Sequence, residues 1–133
     1  MERVLTVSLG TEDVAYPFTT LERVGVVNDT VGGVPIVIFY AKGVTSALDR
    51  SSIADSRDVG TAAVFRRQLA GRTLTFRRRG EAFVDAETGS TWSLLGEATA
   101  GSLRGKKLIP VVSGQHFWFS WAVFKPQTRI YKP

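Results

Sequence analysis

The chain has 133 residues, one domain's worth of polypeptide, with 17 Lys and Arg against 12 Asp and Glu and a formal charge of +5. Hydrophobic residues make up 44% and charged residues 22%, which excludes a disordered chain. There is no cysteine, which excludes disulfides, thiolate metal sites and thiol nucleophiles, and the single histidine, His116, excludes a site built on two imidazoles. No apolar run approaches the roughly 18–20 residues of a membrane helix. Met1 to Leu5 lacks the basic start and apolar stretch of a signal peptide.

Arg3 to Leu9 alternates like a half-buried strand, and Gly10 breaks it. Val14-Ala15-Tyr16 reads as the return strand, and Thr19 or Thr20 as the cap of a short helical turn. Val24 to Val27 and Ile36 to Tyr40 are apolar runs flanking Asn28 to Pro35, a stretch dense in turn formers, which predicts a hairpin across that loop. Ile36-Val37-Ile38-Phe39-Tyr40 is apolar on both faces and reads as a central strand. Residues 41 to 60 are small and polar without a period, and a connection of that length is often functional.

Thr61 to Arg67, Thr73 to Arg79 and Ala82 to Asp85 predict a meander, with Ala70-Gly71 and Gly80 as turns and Ala63, Phe65, Leu74 and Phe76 facing inward. Trp92 to Ala98 reads as a strand end and a helical turn. Lys107 to Val112 is a further strand candidate, pushed to an edge by Pro110. A helix is expected from about Gln115 to Phe124, ended by Pro126, with aromatics at 117, 121 and 124 on one core-facing side. The fold class is therefore α+β: mostly antiparallel β, a curved sheet or partial barrel closed by that helix, with two or three short helices in a single domain over residues 1–133.

Asp85-Ala86-Glu87-Thr88-Gly89-Ser90-Thr91-Trp92 approximates an Asp box, with Glu87 in the acid position. Its physics is structural: an acid accepts N–H groups within the turn, Gly takes positive φ, and Trp92 anchors the hairpin. Arg66, Arg67, Arg72, Arg77, Arg78, Arg79, Arg104, Lys106 and Lys107 form a basic stretch, but alternation splits neighbouring arginines between faces, and no nucleic-acid-binding signature accompanies them. The loop carboxylates Asp29, Asp49, Asp55, Asp58, Asp85, Glu87 and Glu97 lack metal-ligand spacing. His116 can serve as one ligand or one proton shuttle, or as a capping or core residue. No Ser lies in a nucleophile elbow, and Val31-Gly32-Gly33-Val34 lacks the Lys of a phosphate loop.

Taken in order, Ala15-Tyr16-Pro17, Asn28-Asp29-Thr30-Val31-Gly32-Gly33-Val34-Pro35, Phe39-Tyr40, Gly71 to Phe76, Asp85 to Trp92, Gly96-Glu97-Ala98, Gly101 to Gly105 and Pro126-Gln127-Thr128-Arg129 are similar to blocks of one prokaryotic family. Nearly the whole chain resembles the domain of unknown function 3179. Many members carry Cys-Pro-x-Cys just after the residue matching Tyr40, where this chain has Ala41-Lys42-Gly43-Val44, so a thiol role does not carry over to this cysteine-free branch. The resemblance implies no transferable activity. Members are often exported, which implies a cytoplasmic chain if Met1 is native and an extracytoplasmic one if the domain is trimmed from a longer exported parent.

The expected function is a non-enzymatic ligand-binding or assembly module, using the 41–60 loop and the Asn28-Asp29 turn. The alternatives are a carboxylate-based hydrolase or metal-assisted enzyme, and polyanion binding through the arginines. Candidate site residues are Asn28, Asp29, Asp49, Arg57, Asp58, Asp85, Glu87 and His116. No catalytic residue is assigned and no cofactor or metal is implied. The partner is a small molecule or a protein, and the sequence argues against nucleic acid.

Overall fold

Period-two alternation and two-residue turns build the first half of the chain. The structure is a computed structural model that describes residues 3–41, 60–80 and 82–132. β1 (Arg3–Leu9) and β2 (Glu12–Pro17) pair antiparallel from Val4↔Pro17 to Leu9↔Glu12. Gly10, at φ 60°, opens the turn between them. Helix α1 (Phe18–Val24) follows directly. Its N-cap is Pro17 rather than Thr19 or Thr20, because Pro17 already holds the extended conformation that precedes a first helical turn (φ −61°, ψ 136°). Phe18 and Leu21 anchor the helix in the core, and Gly25, at φ 79°, ends it by donating its N–H to the Leu21 carbonyl.

β3 (Val26–Val31) and β4 (Val34–Ala41) form a hairpin whose turn is only Gly32-Gly33, both at positive φ. The expected Asn28–Pro35 loop is therefore mostly strand. The expected loop at 41–60, with Asp49, Arg57 and Asp58, lies outside the described residues apart from its ends. β5 (Thr61–Arg66) pairs antiparallel with β4. β6 (Gln68–Leu69) and β7 (Arg72–Thr73) make a small ribbon around Ala70-Gly71. β8 (Phe76–Arg79), β9 (Ala82–Asp85), β10 (Thr91–Trp92) and β11 (Ala98–Ala100) form an antiparallel meander. The Ser93–Gly96 connection is a tight turn, with Gly96 donating to the Ser93 carbonyl, and not a helix.

Lys107 to Val112 makes only isolated bridges, Glu97↔Lys107 and Phe65↔Pro110, instead of a strand. Pro110 has no N–H to extend a ladder. β12 (Ser113–Phe117) pairs antiparallel with β1, so the helix expected from Gln115 starts later, as α2 (Trp118–Phe124). β13 (Arg129–Ile130) adds to β2 in parallel. The sheets are β12–β1–β2–β13, β3–β4–β5, β11–β10–β9–β8 and β6–β7. Among the described residues the strands are mostly antiparallel, two helices accompany them, and no barrel closes.

β4 is the middle layer, as its two-faced apolar sequence requires. Ile36, Ile38 and Tyr40 face a cluster with Leu5, Val7, Val14 and Tyr16 of the first sheet. Val37 and Phe39 face a second cluster with Phe76, Phe83 and Trp92 of the meander. Phe39 stacks on Phe83 at 4.3 Å between centroids and meets Phe76 edge-on at 5.3 Å. Each such buried ring contributes roughly 1.5–3 kcal/mol relative to exposure. Ala63, Phe65, Leu74 and Phe76 share this second cluster, as their spacing predicts.

Candidate functional site

Asn and Asp disfavour strand interiors, yet Asn28 and Asp29 sit inside β3. Their side chains explain the placement. Asn28 Nδ2 donates to the Phe76 carbonyl and Asn28 Oδ1 accepts from the Phe76 N–H, both at 2.8 Å. One amide thus pairs with β8 as a strand backbone would, joining the middle sheet to the meander. Asp29 points the other way along the chain's charge network. Its Oδ1 accepts from the Thr30 N–H, and its Oδ2 accepts from the Tyr16 hydroxyl at 2.8 Å and from Arg129 at 3.2 Å.

Arg129 reaches two acids at once. Its Nε donates to Glu12 Oε2 at 2.9 Å, while its second arm holds Asp29 and the Thr30 carbonyl. Glu12 Oε1 accepts from the Gly32 N–H. That backbone donor, followed by Arg129, lowers the Glu12 pKa. Burial raises the Tyr16 phenol well above its ordinary value, and its bond to Asp29 adds to the shift. Desolvation works against the charge on Arg129, but its bonds to Glu12 and Asp29 outweigh that and raise its pKa. Tyr131 lies tilted against Tyr16, 5.3 Å between centroids, and its pKa is raised by burial and then by Asp29. The cluster is closed on itself: both carboxylates are engaged on both oxygens.

Asp85 is buried and lies in the meander instead. Its Oδ1 accepts from the Trp92 indole at 2.8 Å, and its Oδ2 accepts from the Thr88 N–H and hydroxyl. Burial opposes its charge, yet the Trp92 and Thr88 bonds win and lower its pKa. The staple of the Asp85–Trp92 turn is therefore Asp85, and Glu87, expected in that position, instead accepts from the Thr75 N–H. Arg67, expected on a solvated face, is half-buried and donates to the carbonyls of Ile36, Leu74 and Asp29. Burial lowers its pKa against the pull of Asp29 and Glu87.

His116 is exposed on β12, its ring 4.7 Å from that of Trp121. Beside them Thr6, Ser8, Val112, Ser113 and Gly114 line a shallow groove of about 280 Å³. A second groove of about 360 Å³, lined by Leu9, Arg66, Pro110 and Val111, shares Ser8 and Val112 with it. The aromatic stretch expected to be core is not. No described side chain of α2 is buried, and Phe119 and Val123 are 71% and 70% exposed. Val112 is 92% exposed, and Ile109 and Phe117 are also open.

The described candidates thus divide among separate roles: Asn28 ties two sheets, Asp29 anchors Arg129, Asp85 staples a turn, Glu87 holds Thr75, and His116 lies on an edge strand. Asp49, Arg57 and Asp58 lie outside the described residues. Sequence reasoning missed Glu12, Tyr16, Arg67 and Arg129. The available signal was Asn-Asp inside an apolar run, since such residues in a strand need partners; nothing local joins Arg129 to an acid a hundred residues earlier. No group of three or more His, Cys, Asp or Glu that could hold a metal ion occurs among the described residues.

These features define a cysteine-free, predominantly antiparallel β protein, with two short helices among the described residues, built in layers around one central strand. A family model described as a protein of unknown function, DUF3179, matches residues 1–128, and the chain belongs to that family. No curated protein and no solved structure matches it.

Proposed function

We propose that this chain is a non-enzymatic docking module that binds a protein partner through the apolar face formed by Ile109, Val112, Phe117 and α2. The observation that carries this reading is α2 itself. Its sequence, Trp-Phe-Ser-Trp-Ala-Val-Phe, has no charge, and a helix that is apolar all round belongs in an interior. Here Phe119 and Val123, one turn apart, face solvent together. Exposed apolar side chains grouped in this way mark interaction surfaces. The closed hydrogen bonding of Asp29, Asp85 and Glu12 supports the same reading, because each acid already has a structural task.

The test is binding of the apolar dye 1-anilinonaphthalene-8-sulfonate by the folded chain at low concentration. The double variant Phe119→Ser with Val123→Ser is expected to lose most of that binding. Its unfolding free energy should stay within about 0.5 kcal/mol of the parent, as for surface changes. A parent chain that does not bind the dye, or a variant that binds it equally, would sink the docking reading.

A further inference from the structure

Resting on that reading of the face as a docking surface, we infer that its occupant is a second copy of this chain, joined by antiparallel pairing of β12 with β12. Three observations lead there. First, β12 is the outer strand of its sheet, and among the described residues no backbone bond reaches it from the side away from β1. Such an edge carries a row of free N–H and C=O groups, which proteins ordinarily guard with charge, proline or a bulge. β12 reads Ser-Gly-Gln-His-Phe and has none of these.

Second, the flanks are complementary to each other. Exposed apolar residues lie on both sides of β12: Ile109 and Val112 before it, Phe119 and Val123 after it. Antiparallel pairing about a two-fold axis sets the end of one strand beside the start of the other. The apolar helix of one copy then meets the apolar segment around Val112 of the other. Parallel pairing would instead set like flanks side by side.

Third, the segment that would pair carries no charge to repel a second copy. No Lys, Arg, Asp or Glu occurs from Leu108 to Phe124. The run Arg77-Arg78-Arg79 that an anionic surface would attract lies on β8, in a different sheet. Cations border the face, with Arg3 over the Phe117 ring at 5.8 Å and Arg66 in the groove beside Val112, but none lies on the strand or the helix that would pair. A five-residue strand and a seven-residue helix make a contact at the small end of protein interfaces, so the dimer is a weak one.

Sedimentation of the full chain should show its mass rising from 14.5 kDa toward twice that value as concentration increases. The rise is expected between about 10 and 500 µM, the range of a small interface. Gln115→Lys, which sets two cations near the two-fold axis, should weaken association at least about tenfold, as edge lysines do. Phe119→Ser should also weaken it, and circular dichroism should show both variants folded as the parent is. A parent that stays at 14.5 kDa throughout overturns the dimer. So does a dimer that Gln115→Lys leaves intact while folded. Co-sedimentation of the monomeric chain with phosphatidylserine vesicles, abolished by Phe119→Ser, overturns it in favour of a bilayer. Dye binding by a chain that never dimerises leaves the docking reading standing and removes only the second copy; a monomer that binds no dye removes both.

Discussion

Asp85 is 1% exposed and still charged, because three donor groups meet it: the Trp92 indole and the Thr88 N–H and hydroxyl. A buried charge without such partners would cost far more than it contributes. Asp85→Asn keeps the volume but turns an amide N–H toward a donor. Urea unfolding at pH 7 should show it about 2–3 kcal/mol less stable, the range for charged hydrogen bonds in an interior. The pH dependence has a definite sign. The folded pKa lies below the ordinary Asp value near 3.9, so the contribution is complete above that value. It is lost as pH falls through the lower folded value. The gap between parent and Asp85→Asn should therefore narrow on acidification below about pH 4; a gap constant from pH 7 to pH 2 would contradict the charged staple.

Among the elements, the β3–β4 hairpin is tied to both neighbouring sheets. Gly32, at φ 57°, passes so close to the β1–β2 turn that a Cβ there would collide with the Leu9 carbonyl. On the opposite side, Asn28 makes its paired bonds to Phe76. Asn28→Ala leaves the Phe76 N–H and C=O without those partners inside a part-buried joint. Denaturant unfolding should place the cost at about 2 kcal/mol, with Asn28→Asp no better because it loses the donor and repels the carbonyl. A cost below about 0.5 kcal/mol for both would mean that the amide bridge is ornamental.

This hairpin also marks what sequence could and could not convey. The strand identity of Ile36–Tyr40, and its burial on both sides, follow from an unbroken apolar run. Asn28 to Val31 carries turn-forming types, so local propensity argues for a loop; partners on β8, β2 and β13 hold it as strand instead. Asp85-to-Trp92 was legible as a structural turn because its donors and acceptor lie within eight residues, although Asp85 rather than Glu87 does the accepting. The helix α2 failed in a different way. Its aromatics imply burial, and only the assembled sheet reveals that nothing described here covers Phe119 or Val123.

At the scale of the whole molecule, Arg129 joins segments about a hundred residues apart in sequence. β13 lies along the edge of β2, and the Tyr131 N–H donates to the Ala15 carbonyl. Arg129 then spans from Glu12 of the first sheet to Asp29 and Thr30 of the middle sheet. These side chains are partly exposed, so solvent screens the pairs and the sum is modest, on the order of 1 kcal/mol. The effect of Arg129→Ala should therefore be local rather than global. Hydrogen exchange at the Tyr131 and Gly32 amides should quicken severalfold, since both bond to groups that Arg129 organises, while amides of β4 keep their protection. Acid should erase the difference. Glu12 has a folded pKa below its ordinary value near 4.3, so its contribution is present above that value and lost as pH falls through the folded one. Equal quickening of the β4 amides in Arg129→Ala would show that the C-terminal strand is instead part of the global folding unit, with Arg129 supporting the core that β4 divides.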